Sequence, residues 1–294
     1  MSKIDLHIHS NCSDDAELSV EKIVSMSKKS DMKVIAITDH NSVRGVEKAI
    51  VCGNKLGVEV IPGIEIDCTF NSINLHVLGY YIDYNRREFH ELEKQVYDQE
   101  MKFASEKIRR LRENTGLVVD EMEVLEKANG KIVTGELIAE ILLSKSNSSD
   151  NELLRPYIMG GARSDMPYVN FYWDFFSQGK AAYVPVKYIS LRDTIELIKS
   201  SNGIPVIAHP GNNLKEYMAV IDSIIKEGIE GIEVFSTYHS KEQTDYFYQK
   251  AIEYKLPMTC GSDFHGKNKP NITIGGCDCS LPYRDIVDPL KAKI

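Results

Sequence analysis

Short apolar runs of strand length recur along this chain, and histidine, aspartate or glutamate recurs at the ends of several of them. A parallel β/α sheet is the arrangement that gathers strand carboxyl ends at one place, because the loops that follow the strands converge there. The first run, Lys3-Ile4-Asp5-Leu6-His7-Ile8-His9-Ser10, is the most telling. Residues i and i+2 of a strand face the same way, so His7 and His9 lean together with Leu6 and Ile8 on the opposite side. One short strand then carries half a metal site. Downstream, 34–38 ends at Asp39-His40 and Glu65 follows Pro62-Gly63. His76 lies inside 75–80, 204–208 ends at His209-Pro210, and 257–260 runs into Gly261-Ser262-Asp263-Phe264-His265. A single histidine near a strand is ordinarily satisfied or exposed. Of the eight in this chain, only His90 falls in a charged helical stretch away from such runs.

The first third reads as strand 4–9, helix 19–29 with Ser19 as N-cap, strand 34–38, helix 45–56 closed by Gly57, strands 58–61 and 65–70, and strand 75–80. This βαβα rhythm predicts parallel strands with helices outside them. The rhythm breaks near Asp83. Residues 88–114, 120–127 and 136–143 have helical character, 144–151 is a polar loop, and 159–168 is rich in turn residues. Tyr168, Phe171, Tyr172, Trp173, Phe175 and Phe176 follow. We read 84–178 as an inserted, mainly helical cap between barrel portions 1–83 and 179–294. The aromatic group is expected to pack the cap onto the barrel rather than to stack nucleobases. Alternation resumes from Ala181 with helix 191–200, strand 204–208, a strand within 229–235, helix 241–254 and strand 257–260. The stretch beyond Lys267 reads as irregular.

A chain of 294 residues buries a full core, and its formal charge of −8 argues against an extended nucleic-acid-binding surface. Its apolar runs are too short for a membrane span, and a cleaved leader would remove His7. The six cysteines are scattered, and the Cys277-Asp278-Cys279 spacing is not that of a zinc ribbon. Reduced cysteines in a cytoplasmic protein are expected. Imidazole with carboxylate suits Zn²⁺, Mn²⁺ or Fe²⁺.

Asp5-Leu6-His7-Ile8-His9-Ser10, Ser13-Asp14 and Ile37-Thr38-Asp39-His40 resemble the opening of a PHP (polymerase and histidinol phosphatase) domain. Pro62-Gly63-Ile64-Glu65, His76-Val77-Leu78-Gly79-Tyr80, Ala208-His209-Pro210-Gly211 and Gly261-Ser262-Asp263-Phe264-His265-Gly266 follow that family in order. The resemblance implies a distorted seven-stranded β/α barrel around three divalent ions, Mn, Fe or Zn. It implies that His7, His9, Glu65 and Asp263 hold one ion. Glu65 would bridge to a second ion held by His76 and His209, and Asp14, His40 and His265 would hold the third. Asp14 stands where some members have histidine, the pattern of the nucleotide-phosphatase-like branch. Asp15 is expected to be a solvated turn residue, and Asp39 to orient a ligand histidine.

The implied activity is phosphoesterase chemistry on small phosphomonoesters, nucleotides or nucleoside 3′,5′-bisphosphates, by attack of metal-bound hydroxide. His239 reads either as a phosphate contact or leaving-group acid, or as a capping or exposed residue before Ser240. The Arg-Pro-His run usual in the cap of that branch corresponds here to Gly135-Glu136-Leu137, without the basic pair. Arg163 and Lys180 are the candidates to supply the missing charge. An exonuclease trimming short oligonucleotides, a histidinol-phosphate phosphatase and a non-catalytic metal-binding module are the other readings. The nine filled ligand positions weigh against the last.

Overall fold

A computed structural model describes residues 3–146 and 148–294; Asn147, in the expected polar loop, lies outside the described residues. Eight strands form: β1 (Ile4–Ile8), β2 (Val34–Ile37), β3 (Glu59–Phe70), β4 (Ile73–Tyr80), β5 (Ile189–Ser190), β6 (Ile204–Ile207), β7 (Gly231–Ser236) and β8 (Met258–Gly261). The sheet order is β1-β2-β3-β4-β6-β7-β8, with the two-residue β5 paired to β3. The ring nearly closes. Asp263 donates its N–H to His7 O at 2.8 Å, and His9 donates to Phe264 O at 3.0 Å, so the segment after β8 meets β1. The expected seven-stranded β/α barrel is present.

Two departures have local causes. The expected strands 58–61 and 65–70 are not separate: residues 59–61 and 65–70 belong to one strand, β3, and Val58 precedes it. Pro62 is the last residue in register with β2, opposite Ile37, and Gly63 is the first paired with β4, opposite Tyr80. The Pro-Gly pair therefore marks a change of partner. A Cβ on Gly63 would lie 2.8 Å from Thr38 Cγ2, so the close crossing of β2 requires glycine. In addition, β4 runs antiparallel to both β3 and β6. Asn71 (φ 49°) and Ser72 (φ 66°) are both left-handed and form a tight hairpin that reverses the chain.

The helices are α1 (Val20–Lys29), α2 (Val46–Leu56), α3 (Arg87–Thr115), α4 (Glu121–Ala128), α5 (Gly135–Ser144) and α6 (Pro167–Phe175). They continue with α7 (Leu191–Ser200), α8 (Pro210–Leu214), α9 (Ile221–Lys226), α10 (Lys241–Tyr254) and α11 (Tyr283–Lys291). Ser19 caps α1 by accepting from Lys22 N–H, and Gly57 ends α2 in the left-handed region (φ 68°). The region beyond Lys267 is not wholly irregular. In α11, Ile286, Val287 and Leu290 are buried, and Pro289 lies inside the helix where proline ordinarily signals a break.

The barrel core runs through Leu6, Ile64, Val77, Val206, Ile232 and Phe247. A second core gathers Ile108, Leu111, Val124, Ile138, Leu142, Phe171 and Phe176. Helix α3 serves both, with Phe89, Leu92 and Val96 in the first and Ala104, Ile108 and Leu111 in the second. Phe171 and Phe176 fill the second core, while Trp173 meets Tyr238 edge-on with ring centroids 6.0 Å apart. Among the described residues, no helix is long and apolar enough to cross a membrane.

Candidate metal centre

Strand β1 presents His7, and His9 just past its end, to one face, with their Nε2 atoms 3.1 Å apart. Glu65 Oε2 lies 3.1 Å from each of these nitrogens, and Asp263 Oδ1 lies 3.3 Å from His7 Nε2 and 3.1 Å from His9 Nε2. The other Glu65 oxygen faces a second group, 3.0 Å from His76 Nδ1 and 3.2 Å from His209 Nε2. Asp15 Oδ2 lies 3.0 Å from His265 Nε2 and 3.7 Å from His40 Nε2, and the His9 and His265 rings stack at 3.9 Å. His9, Asp15, His40 and His265 form one set of potential ligands; His7, His9, Glu65 and Asp263 form another; Glu65, His76 and His209 a third; and His40, Asp67 and His76 a fourth. Within each set the donor atoms lie within 4.8 Å of one another. Asp15 Oδ1, Glu65 Oε2 and His265 Nε2 are buried without a hydrogen-bond partner. Such atoms are costly unless something answers them, and divalent cations answer this donor set.

Four of the six second ring nitrogens are held by built contacts. With Nε2 left to an ion, His7 donates from Nδ1 to Glu233 Oε1 (3.0 Å) and His9 donates to Ser13 Oγ (3.0 Å). His209 donates to Asn213 Oδ1 (2.6 Å) and His265 to the Asp263 carbonyl (2.9 Å). Ser13 Oγ in turn donates to Asp39 Oδ1 at 3.1 Å. Asp39 also accepts the Ser10 N–H (2.6 Å) and hydroxyl (2.7 Å). Glu233 Oε2 accepts the N–H of His209 at 2.7 Å, where the backbone is strained to φ 23°. Fixed imidazoles with a buried acceptor behind them are the usual preparation of metal ligands.

The charges are strongly coupled. Burial opposes ionisation of Glu65, but His7, His40 and His76 outweigh it and hold its carboxyl well below the usual range. Asp263 is likewise held down against burial by Lys269, His265 and His7. Burial would lower His7, yet Glu65, Glu233 and Asp263 raise it well above an ordinary imidazole. His9 is pushed down to about 4 by burial and by the neighbouring His265 and His40. Over the site lies a cavity of about 1190 Å³, lined by His40, His76, His209 and Asp263 and by Glu136, Arg163, Tyr172 and Trp173 from the α5–α6 side.

Residues 5–149, which include His7, His9, Asp15, His40, Glu65 and His76, match the PHP domain family. The chain carries a PHP domain. Across 90% of this PHP protein, and 90% of the relative, it is 26% identical to a 5′-3′ exoribonuclease of Haemophilus influenzae. It is also 26% identical to a 3′,5′-nucleoside bisphosphate phosphatase of Chromobacterium violaceum, over 100% of this chain and 98% of the relative. The fold matches a solved structure described as an amidohydrolase from C. violaceum with bound sulfate. That match has a TM-score of 0.79 at 24% identity and covers 99% of this chain and 97% of the other.

The PHP site brings together His7, His9, His40, Glu65, His76, His209, Asp263 and His265 as expected from their positions. It does not bring in Asp14. The Asp14 Oδ1 accepts the N–H of Ile132 at 3.0 Å, and Lys131 Nζ donates to the carbonyls of Asn11 (2.8 Å) and Ser13 (3.2 Å). The segment before α5 thus draws Asp14 outward and leaves Asp15 turned toward His265. Asp39 reaches His9 through Ser13 rather than directly.

His239 is neither a cap nor free to act on a substrate. Its Nδ1 donates to Val234 O at 2.8 Å and its Nε2 accepts the Gly211 N–H at 3.0 Å, while Ser240 caps α10. Arg163 lines the cavity but gives Nε (3.1 Å) and Nη2 (3.0 Å) to Asp174. Lys180 lines the cavity, is exposed, and forms no ion pair among the described residues.

Sequence reasoning missed four contributors. Glu233 was signalled by a carboxylate inside the otherwise apolar, wholly buried β7. Asp5 had the same signal in β1, and it accepts from the N–H groups of His7, Ser262 and Gly275 and from the Ser262 hydroxyl. Asp67 lies two residues beyond Glu65 in β3. Lys269 had no signal; its buried Nζ is 2.7 Å from Asp263 Oδ2.

Proposed function

We propose that this chain is a metal-dependent phosphoesterase that hydrolyses small phosphomonoesters, nucleotides first among them. The observation that carries the reading is the convergence of six imidazoles, Glu65, Asp263 and Asp15 at the barrel mouth, with buried oxygen and nitrogen atoms left unanswered. In this reading His7, His9, Glu65 and Asp263 hold one divalent ion, Glu65, His76 and His209 a second, and Asp15, His40 and His265 a third. Asp15 replaces Asp14 in that set, and Asp14 anchors its loop to the segment before α5. When bound, such ions supply a nucleophile at neutral pH and positive charge for phosphoryl oxygens. Mn²⁺, Fe²⁺ and Zn²⁺ all suit the donors.

The chain's own groups orient these donors: Glu233 fixes His7, Asn213 fixes His209, and Asp39 fixes His9 by way of Ser13. Lys269 keeps the outer oxygen of Asp263 occupied so that Oδ1 faces inward. Residues 84–178 act as the cap that excludes water from the cavity, and Lys180 meets the substrate's charge. The completeness of the donor set argues for catalysis over a merely metal-binding module.

A second reading, trimming of short oligonucleotides, draws on the cavity. Its volume of about 1190 Å³ exceeds the roughly 300–1,000 Å³ typical of a pocket for one small ligand. The H. influenzae relative bears the name of such an activity.

Phosphate release is to be measured from nucleoside monophosphates, nucleoside 3′,5′-bisphosphates and short oligonucleotides, with Mn²⁺, Fe²⁺ and Zn²⁺ supplied separately. Fastest turnover on a mononucleotide or bisphosphate supports the first reading. Stepwise shortening of the oligonucleotide, with mononucleotides inert, would replace it with the second. No release from any substrate would overturn both.

A further inference from the structure

Each imidazole that binds an ion through one nitrogen leaves the other to be satisfied. Glu233, Ser13, Asn213 and the Asp263 carbonyl satisfy those of His7, His9, His209 and His265. His40 and His76 remain. The Nδ1 of His40 is buried with no hydrogen-bond partner and lies 3.4 Å from Asp67 Oδ1. The Nε2 of His76 lies 3.3 Å from that same oxygen, and the two rings stand edge to face at 5.2 Å. Glu65 Oε2 is also 3.4 Å from His40 Nδ1, but at 3.1 Å from both His7 Nε2 and His9 Nε2 it faces the first ion position.

Asp67 is aimed by a clasp. Its Oδ2 accepts the Asn41 side-chain amide at 2.7 Å, and its N–H donates to Asn41 Oδ1 at 3.0 Å. Asn41 is itself pinned, donating its N–H to Glu65 O at 2.6 Å from a left-handed conformation (φ 54°) that asparagine tolerates. With Oδ2 occupied in this way, Oδ1 keeps two lone pairs for two imidazole N–H groups.

We propose that Asp67 is a positioning residue shared by two ion positions. Its Oδ1 takes the Nδ1–H of His40 and the Nε2–H of His76. His40 is thereby committed to offer Nε2 beside Asp15 and His265, and His76 to offer Nδ1 beside Glu65 and His209. One carboxylate oxygen sets the tautomer of a ligand in each of two sites, so the second and third ions share a support that the first does not use. The inference rests on the ion-binding reading above. It adds that loss of one residue weakens the second and third ions together and spares the first.

The test counts metal. Metal-free wild type, Asp67→Asn and Asn41→Gly are titrated with Mn²⁺, and bound ions per chain are measured by plasma mass spectrometry after gel filtration. Asp67→Asn keeps the shape but offers one oxygen for two roles, and Asn41→Gly removes the clasp while accepting the left-handed backbone. We expect three ions on the wild type. In Asp67→Asn, two of them should bind roughly 10–100-fold more weakly, as loss of an outer partner does, with one retained at wild-type affinity. Asn41→Gly should weaken the same two by less, and it decides the matter if Asp67→Asn does not fold. Three ions bound with wild-type affinity in the folded variants would overturn the inference and leave the phosphoesterase reading intact. Four ions on the wild type and three on Asp67→Asn would make Asp67 a direct ligand and overturn the positioning role. No ions on the wild type would sink the reading beneath it as well.

Discussion

At the scale of single residues, the neighbours Asp14 and Asp15 separate two roles that their chemistry alone cannot. Asp15 faces His265 and His40, whereas Asp14 accepts a backbone N–H from Ile132. Replacing Asp15 with alanine is expected to cost more than the roughly 10–100-fold that loss of an outer partner costs in metal affinity, with phosphate release falling alongside. Asp14→Ala loses one part-buried hydrogen bond, about 1–3 kcal/mol of loop anchoring, and keeps its metal. Calorimetric titration with Mn²⁺ separates the two; a metal-free Asp14→Ala beside a metal-replete Asp15→Ala would reverse the assignment. Arg163→Ala is expected to affect nucleotide and simple aryl phosphate KM values equally, because its guanidinium is committed to Asp174. A selective rise in KM for nucleotides would restore it as a substrate contact. His7 and His9 were legible because strand periodicity alone puts i and i+2 on one face. The choice between Asp14 and Asp15 was not, because it is made by a backbone N–H more than a hundred residues away.

At the scale of elements, the site depends on how closely β8 approaches β1. A Cβ on Gly261 would lie 2.1 Å from His7 Cβ and 2.3 Å from Glu233 Oε1. Gly261→Ala therefore displaces a ligand and its supporting carboxylate together. We expect a loss of about 1–3 kcal/mol in stability and of the ion on His7, measured by denaturant unfolding and metal count; unchanged metal binding would contradict this account of the β1–β8 seam. The βα alternation of the first third was readable, since Ser19, Gly57 and the apolar spacing act locally. The reversal of β4 was not, although its cause is a two-residue turn at Asn71-Ser72. A strand-to-strand turn and a short loop look alike until the pairing is known. Helix α11 was hidden by Pro289, whose missing N–H breaks most helices but is tolerated near this one's end.

At the scale of the whole molecule, the buried site makes stability depend on pH and on metal. Glu65 and Asp263 have native values below their ordinary 4.5 and 3.8, so their contribution is full above those values and lost as pH falls. His7 and His40 have native values above 6.5, so theirs is full below 6.5 and lost as pH rises through the raised value. Burial, with Asp15 nearby, pushes Glu136 up to about 7, so its contribution also declines as pH rises from 4.5 through that point. The metal-free protein should have its highest Tm at about pH 5–6.5 and lose stability toward pH 9. Bound ions would take the place of the imidazole protons, so the loaded protein should lose the alkaline decline due to His7 and His40 and keep only the part from Glu136, which is complete soon above pH 7. Thermal melts of both forms across this range check the claim; a metal-free Tm that stays level from pH 6 to 9 would contradict it.

The most direct measurement follows phosphate released from a nucleoside monophosphate while Mn²⁺ is returned to chelator-stripped protein and bound ions are counted in parallel. The account predicts no turnover without metal, a rate that climbs with ions bound per chain, and no recovery in His209→Ala despite a native fold. Full turnover by the stripped protein, or by His209→Ala, would contradict it.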